Sequence, residues 1–132
     1  MKVLLDTDTC IHALRQSPAV LARLLAHPRS DVAVSVVTEA ELRTGAAKSS
    51  VPSRTLQRVE NFLRPLEVLE FSSADAVAYA HLRARLGRAG KSIGPLDTFI
   101  AAHALSRKRV LVTGNEREFR RVPGLHVASW SA

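Results

Sequence analysis

Cysteine, aromatic side chains and long apolar segments are all scarce in this sequence. The one cysteine, Cys10, has no partner for an internal disulfide, which is typical of proteins in a reducing compartment. Aromatic residues make up 5% of the chain, which argues against binding single-stranded bases by stacking. No apolar stretch is long enough to cross a bilayer, and no signal peptide follows Met1. We therefore expect a cytoplasmic protein that has no membrane partner.

Acidic residues are outnumbered by basic ones. Twelve Asp and Glu residues against nineteen Lys and Arg residues leave a formal net charge of +7. Such an excess in a short chain favours anionic partners, with nucleic acid ahead of an acidic protein. The sequence does not distinguish which Lys and Arg residues would contact a nucleic acid. The length of 132 residues and the 46% share of hydrophobic residues predict a single domain that spans residues 1–132.

Short apolar runs alternate with segments of helical periodicity along the chain. Strands are predicted at residues 3–5, 32–37, 66–71, 110–112 and 125–127. Helices are predicted around residues 9–15, 18–25, 38–48, 54–64, 73–86 and 96–105. Strands that alternate with helices favour a parallel sheet that is covered on both faces. The predicted fold is therefore of the α/β class, a three-layer α/β/α sandwich with a central, mostly parallel sheet.

Two predicted helix starts carry residues that are suited to capping. Asp8 or Thr9 is expected to cap the first helix, because either side chain can accept a hydrogen bond from a free backbone amide. Thr38 and Glu41 have the spacing of a capping box at the start of the third helix. Asp6 directly follows the first strand and has no capping role in this interpretation.

Three carboxylates that lie far apart in sequence are predicted to meet at one edge of the sheet. Asp6 ends the first strand, and Glu41 lies early in the helix after the second strand. Asp97 opens an apolar helix that precedes the fourth strand. Ligands of open parallel sheets bind at the carboxyl ends of the strands, so the topology can bring the three acids to the same rim.

A cluster of carboxylates favours a bound cation, because each ionised group disfavours the ionisation of its neighbours. Oxygen ligands without cysteine or paired histidine favour Mg²⁺, with Mn²⁺ as an alternative, over zinc. Such a site can activate water and stabilise the charge that develops on a phosphodiester. Glu41 and Asp97 could instead serve the macrodipoles of their helices. His103 lies on an apolar helix and is predicted to pack in the core rather than to act as a catalyst.

Four ordered blocks of the sequence resemble the VapC-type toxins of the PIN-domain nuclease superfamily, and the resemblance covers nearly the whole chain. The blocks comprise residues 4–11, 35–46, 93–104 and 112–125, followed by a late tryptophan at position 130. The resemblance implies a PIN-like α/β/α nuclease domain with Mg²⁺-dependent endoribonuclease activity. Structured RNA, and tRNA cut in its anticodon region, is the implied substrate.

The same resemblance implies partners and site residues. A homodimer and a cognate VapB-type antitoxin, which together form a larger complex, are the implied partners. Matched position by position, Asp6, Glu41 and Asp97 would be the metal-binding, catalytic acids. We expect Asp6 and Asp97 to ligate one Mg²⁺ directly, with Glu41 as a further ligand or as the group that orients the attacking water. A second cation could arrive with the RNA.

Two positions depart from the family pattern. The family usually has asparagine where this chain has Asp8, which either adds a negative charge to the site or only caps the helix. In many PIN domains a fourth acid follows the last-strand threonine by two residues, and here Asn115 follows Thr113. Asn115 could ligate through its carbonyl oxygen or hold a water of the metal. Glu116 or Glu118 could supply the missing charge.

Other functions fit parts of the sequence. Residues 3–9 also resemble the opening of haloacid-dehalogenase phosphatases, in which Asp6 would be the nucleophile and Asp8 the general acid. That mechanism needs a late acidic pair, whereas the region of Asp97 offers one acid. A phosphorylatable receiver domain would need an Asp at the end of the third strand, and residues 66–71 contain none. A non-catalytic, basic RNA-binding module would gain nothing from clustered acids that repel phosphate.

Overall fold

Five parallel strands form the central sheet of the computed structural model, which describes residues 1–131. The strands are β1 (Val3–Leu5), β2 (Val32–Ser35), β3 (Glu67–Leu69), β4 (Val110–Val112) and β5 (Val127–Ala128). Their order across the sheet is β3-β2-β1-β4-β5, and every neighbouring pair is parallel. From β1 the chain thus passes outward to β2 and β3, and it then crosses to the other side of β1, where β4 and β5 are added. The connections from the neighbouring strands β1 and β4 lead in opposite directions, so their carboxyl ends form the topological switch point at which such sheets bind ligands.

Helices cover both faces of this sheet. They are α1 (Thr7–Leu14), α2 (Pro18–Ala26), α3 (Val36–Ala47), α4 (Pro52–Leu63), α5 (Ser73–Arg88), α6 (Pro95–Arg107) and α7 (Glu116–Phe119), with a short 3₁₀ turn at Arg29–Asp31. Among residues 1–131, none of the helices is both long enough and apolar enough to span a membrane.

Side chains that alternate along the strands build two separate apolar cores. Val3 and Leu5 pack with buried residues of α1, α2 and α4 on one face of the sheet. Leu4 and Ala33 pack with buried residues of α5 and α6 on the other face. Successive strand residues point to opposite faces, so the short apolar strands serve both cores at once. This arrangement confirms the predicted three-layer α/β/α sandwich, and the sheet is parallel throughout its described strands.

The predicted start of α3 is wrong. The helix begins at Val36 rather than after a cap at Thr38, because the Ser35 hydroxyl accepts a hydrogen bond from the Val37 amide at 3.1 Å. Thr38 and Glu41 therefore lie inside the helix and do not form a capping box. The predicted second strand correspondingly ends two residues early, at Ser35.

The predicted cap of α1 is also wrong, since neither Asp8 nor Thr9 fills that position. Asp6 is the N-cap, and its Oδ1 accepts a hydrogen bond from the Thr9 amide at 2.8 Å. Elsewhere β3 is shorter than predicted, and β5 begins two residues later at Val127. The short helix α7 was not predicted, because four residues carry too little periodicity to reveal it.

Arg109 joins three strands at the amino edge of the sheet. Its buried guanidinium donates to the Val3 carbonyl at 3.1 Å, to the Asp31 carbonyl at 3.4 Å and to Glu67 Oε1 at 3.2 Å. These acceptors belong to β1, to the turn before β2 and to β3. The hydrogen-bonded charge therefore fixes this edge of the sheet, opposite to the carboxyl ends of the strands.

Replacing Arg109 should destabilise the fold without altering the rim of the cleft. Arg109→Met keeps the apolar stem but removes every donor, and we expect the free energy of unfolding to fall by about 2 kcal/mol. Urea denaturation measures the loss, with Arg85→Met on the exposed part of α5 as the control. Equal stability of the two variants would show that the Arg109 contacts do not hold the edge together.

Candidate active site

Asp6 lies at the switch point between β1 and β4. Its backbone amide continues the strand pairing by donating to the Val112 carbonyl at 2.9 Å. Its side chain is 3% exposed, and Oδ2 accepts a hydrogen bond from the Thr113 hydroxyl, while Oδ1 caps α1. Thr9 secures the same corner from α1, with its hydroxyl donating to the Val112 carbonyl at 3.1 Å. The Asp6 carboxylate is thus held by α1 and by Thr113, the residue that follows β4.

Opposing effects act on the ionisation of Asp6. Burial raises the pKa of its carboxyl group, and hydrogen bonds from Thr113 and Thr9 lower it in part. The negative charge of Asp8 raises the pKa further. The raised pKa means that ionised Asp6 gains stability from any cation that approaches its oxygens.

Glu41 reaches the cleft from the second turn of α3. Its Oε1 accepts a hydrogen bond of 2.6 Å from the Thr7 hydroxyl at the start of α1. The Thr7 oxygen also lies 3.1 Å from the Thr38 hydroxyl, so Thr38 donates to Thr7 when Thr7 donates to Glu41. This hydroxyl chain joins α1 to α3 and orients the carboxylate. The sequence analysis missed Thr7, although its position directly after Asp6 was a usable signal.

Asp97 stands among the other acids in the first turn of α6. Burial, the negative charges of Glu118, Asp6 and Glu41, and a hydrogen bond with Glu118 raise its pKa from 3.8 to about 6. The effect of these three charges shows that the acids, although they come from separate parts of the chain, share one electrostatic environment. The structure therefore places the three predicted carboxylates along the wall of one cleft.

Glu118 is the additional acid that reaches this cluster. Its Oε2 accepts a 2.6 Å hydrogen bond from the Asn115 side-chain amide, and its Oε1 accepts from the Gly94 amide at 3.3 Å. The Asn115 backbone amide in turn donates to the Thr113 hydroxyl at 2.9 Å. Glu116 is drawn away by an ion pair of 2.9 Å with Arg120. Asn115 thus positions Glu118, and Glu116 does not join the cluster.

Asp6, Glu41 and Asp97 border a cleft of about 500 Å³. Its lining residues are Asp6, Thr7, Asp8, Ile11, Glu41, Asp97, Gly114, Asn115 and Phe119. The interpretation of Asp8 as a mere helix cap is wrong, because Asp6 fills that role and the exposed Asp8 lines the cleft. A Cβ atom on Gly114 would lie 3.1 Å from Asp8 Oδ2, so a larger residue at this position would require the exposed Asp8 carboxylate to shift slightly.

The donor set fits a hard divalent cation. The cleft is lined by carboxylate, amide and hydroxyl oxygens, with neither cysteine nor histidine in its wall. Within residues 1–131, no three His, Cys, Asp or Glu side chains are drawn together into a complete ligand set. Asp6, Glu41 and Asp97 interact as charges across the cleft, and a cation between them would offset the repulsion that raises the pKa of Asp97.

His103 lies away from the cleft, as predicted. Its imidazole is fully buried, with Nδ1 at 2.8 Å from the Ser35 hydroxyl and Nε2 at 3.1 Å from the Glu70 carbonyl oxygen. Burial lowers the pKa of this histidine, so it is neutral at pH 7. Its hydrogen bonds connect α6 to the ends of β2 and β3, and the expectation of a packed core residue is confirmed.

A parallel α/β sheet with an acidic cleft at its switch point is typical of enzymes that bind a cation and a phosphate-bearing ligand at the carboxyl edge of the sheet, and comparisons with known proteins identify the family. The PIN domain model matches residues 3–125. A tRNA(fMet)-specific endonuclease VapC from Shigella flexneri is 40% identical over 131 residues, which cover 99% of each chain. A ribonuclease VapC2 from Haemophilus influenzae is 36% identical over 130 residues, which cover 98% of each.

Solved structures agree with these sequence relatives. The crystal structure of DNA-bound VapBC from Salmonella typhimurium contains a chain that is 40% identical, with 98% of both chains covered and a TM-score of 0.95. The chain described here belongs to the PIN-domain family, within its VapC group of ribonuclease toxins.

Proposed function

We propose that this chain acts as a single nuclease domain, a metal-dependent endoribonuclease toxin that hydrolyses phosphodiester bonds in structured RNA. The observation that carries the proposal is that Asp6, Glu41 and Asp97, which come from separate parts of the chain, line one cleft. Burial and the charges of Glu118, Asp6 and Glu41 raise the pKa of Asp97 to about 6. A pure RNA-binding surface would not gather acids at its centre, because they repel phosphate. The name of the Shigella flexneri relative supports tRNA as the substrate. Cleavage in the anticodon region, in the cytoplasm, is part of the proposal and follows from the family resemblance.

Mg²⁺, or Mn²⁺ in its place, is the proposed cofactor. Asp6, Glu41 and Asp97 would hold the cation, and Glu118 would act as the fourth acid in place of Asn115. When bound, the cation would activate water and stabilise the charge that develops on the phosphodiester. The acids also need its charge, since they disfavour one another's ionisation in the half-buried cleft.

The protein's own residues would orient the carboxylates and the attacking water, and they would exchange protons near the scissile bond. Thr113 and Thr9 hold both oxygens of Asp6 and so fix its rotamer. The Thr7 hydroxyl donates to Oε1 of Glu41, so Oε2 would be available to orient the attacking water. Burial and the charges of Glu118, Asp6 and Glu41 raise the pKa of Asp97 to about 6, so this carboxyl group would take up and release a proton close to neutral pH.

A VapB-type antitoxin is the proposed protein partner, in a complex that also contains a second copy of this chain. The Salmonella typhimurium and Rickettsia felis neighbours are described as VapBC complexes bound to DNA, which supports such a partner. A further cavity of about 510 Å³ beside the cleft offers apolar surface to a bound peptide. The wall of this cavity includes the apolar side chains of Val37, Phe71, Leu96 and Phe99. Glu41, which lines the cleft, also contributes to this wall.

Incubation of total tRNA with the protein and Mg²⁺ tests the reaction class. We expect fragments that carry 5′-phosphate and 3′-hydroxyl ends, because an activated water attacks in line and the 3′ oxygen leaves. Ligation of the fragments to adaptors that require these ends detects them. Small phosphomonoesters should remain intact in the same buffer.

Two results would contradict this reaction class. Release of phosphate from the small phosphomonoesters, without RNA fragments, would favour the phosphatase that uses Asp6 and Asp8. Tight binding of tRNA without cleavage, at any divalent-cation concentration, would favour the binding module instead.

A further inference from the structure

A smaller cavity of about 180 Å³ adjoins the acidic cleft. Its wall consists of residues from α1 and α4 together with the residue that ends α1, namely Ile11, Leu14, Arg15, Thr55, Arg58 and Val59. Ile11 also lines the cleft, so the two spaces share this side chain as a common wall. Two arginines therefore line a cavity that meets the acidic cleft at Ile11.

One face of α1 leads from the cleft to this smaller cavity. Asp8, Ile11 and Arg15 follow one another at spacings of three and four residues, which places them on the same side of the helix. Seven residues of helix rise about 10 Å. A nucleic-acid strand that advances about 3.4 Å per nucleotide along its axis covers this distance in about three nucleotides. The arginine face is thus within reach of the same strand that enters the cleft.

What distinguishes these two arginines is that both line the cavity beside the cleft, and, like most arginines among residues 1–131, they have no acidic partner. Among residues 1–131, neither Arg15 nor Arg58 forms an ion pair with a carboxylate, whereas Arg43 and Arg107 do. One Nη atom of Arg58 donates to the Leu14 carbonyl at 2.5 Å. This contact holds the guanidinium at the end of α1 and leaves its other N–H groups to face a ligand. A preordered guanidinium loses less side-chain entropy when it binds phosphate.

We propose that Arg15 and Arg58 form a subsite for an RNA backbone phosphate about three nucleotides from the scissile bond. This inference rests on the proposed ribonuclease function. A strand that approaches Asp6 and Asp97 is repelled by their charge, and two cations near the cleft offset that repulsion and set the register of the backbone. A guanidinium suits this task because it binds phosphate through parallel hydrogen bonds. The subsite is expected to govern affinity and register rather than the chemical step.

Binding of fluorescein-labelled total tRNA, measured in an Asp6→Asn background at several salt concentrations, tests the subsite. Arg15→Gln combined with Arg58→Gln should lower the affinity about tenfold and reduce the slope of log K against log salt by about 1.4 to 1.8, as expected for two lost phosphate contacts. Lys2→Gln combined with Arg29→Gln removes the same charge at the opposite edge of the sheet and should change the affinity less than about twofold. Arg58→Lys should recover part of the loss, because it keeps the charge.

Each other outcome overturns the subsite in a recognisable way. Equal losses in the two double variants would mean that only net charge matters. An unchanged affinity for tRNA, with weaker binding of a polyglutamate peptide, would assign Arg15 and Arg58 to an acidic protein partner. Cleavage by the protein that retains Asp6 is measured in parallel. Intact cleavage with unchanged binding would overturn the subsite alone, whereas a parent protein that neither binds nor cuts RNA would overturn the proposed function as well.

Discussion

Asp97→Asn should slow tRNA cleavage about a thousandfold, a barrier increase of about 4 kcal/mol, and should stabilise the metal-free protein at the same time. The activity falls because the amide supplies one neutral oxygen in place of a carboxylate that would hold the cation. Stability rises because burial and neighbouring like charges disfavour ionised Asp97 in the folded protein and raise its pKa from 3.8 to about 6. The side chain is half-buried, so after solvent screening we expect a gain of about 1 kcal/mol at pH 7.

The pH dependence follows from the same raised pKa. The folded protein binds a proton at Asp97 more tightly than the unfolded chain does, so metal-free wild type loses stability as the pH rises from about 4 to about 6. Asp97→Asn should lack this contribution. Thermal unfolding in EDTA measures the difference, and at pH 7 the variant should melt about 4 °C above wild type.

Asp31→Asn is the matched control for this variant. Asp31 lies at the amino edge of the sheet and pairs at 3.6 Å with the exposed amino terminus, a contact worth little in water. The control should therefore change neither the cleavage rate nor the melting temperature appreciably. An Asp97→Asn protein that loses activity while also melting lower would indicate a damaged fold, and an unchanged rate would contradict the role of Asp97.

Thr7→Val should slow cleavage about 10- to 100-fold, which is the usual cost of removing a group that orients a metal ligand. Valine has nearly the same shape as threonine but lacks the hydroxyl that holds Glu41 Oε1 at 2.6 Å. The carboxylate then loses its fixed orientation, and Thr38 loses its acceptor. Single-turnover cleavage of tRNA, measured across Mg²⁺ concentrations, should show both a lower maximal rate and a higher Mg²⁺ requirement.

Thr7→Ser separates this orienting role from packing. Serine keeps the hydroxyl and removes one methyl group, so the cleavage rate should stay within a few-fold of wild type. If Thr7→Val matched wild type in rate and in Mg²⁺ requirement, the hydroxyl chain from Thr38 to Glu41 would have no part in the reaction.

The three acids could be found from sequence because strand topology places them. Asp6 comes directly after the first apolar strand, and parallel strands present their carboxyl ends at one edge. Glu41 and Asp97 follow from the same logic, since each lies early in a helix that starts at this edge. The alternation of apolar runs and helices likewise determined the sandwich, because each three- or four-residue strand serves two cores.

The remaining features depend on contacts between distant residues. The local pairs Glu116–Arg120 and Asn115–Glu118 exist only once α7 is formed, which was not predicted, and the contact of Glu118 with Gly94 joins residues 24 positions apart. The predicted starts of α1 and α3 were wrong for a related reason. Several neighbouring residues can act as an N-cap, and the folded structure determines which of them does.

Asp6 and Arg109 illustrate the limit most clearly. Asp6 both caps α1 and faces the cleft, a double role that no local pattern signals. Arg109 looks like any other basic residue in a chain of charge +7, yet it is buried against three strands. Its function emerges only when the starts of β1, β2 and β3 are brought side by side.

Single-turnover cleavage of total tRNA by wild type and by Asp6→Asn, with Mg²⁺ and with EDTA, tests most directly whether the clustered acids form a catalytic metal site. Asp6 is the most firmly held of the acids, and the substitution retains its shape. Wild type should cut tRNA with Mg²⁺ and stop in EDTA, and Asp6→Asn should be slower by about a thousandfold or more, equivalent to at least about 4 kcal/mol. Equal, metal-independent cleavage by both proteins would contradict a metal site at Asp6, Glu41 and Asp97.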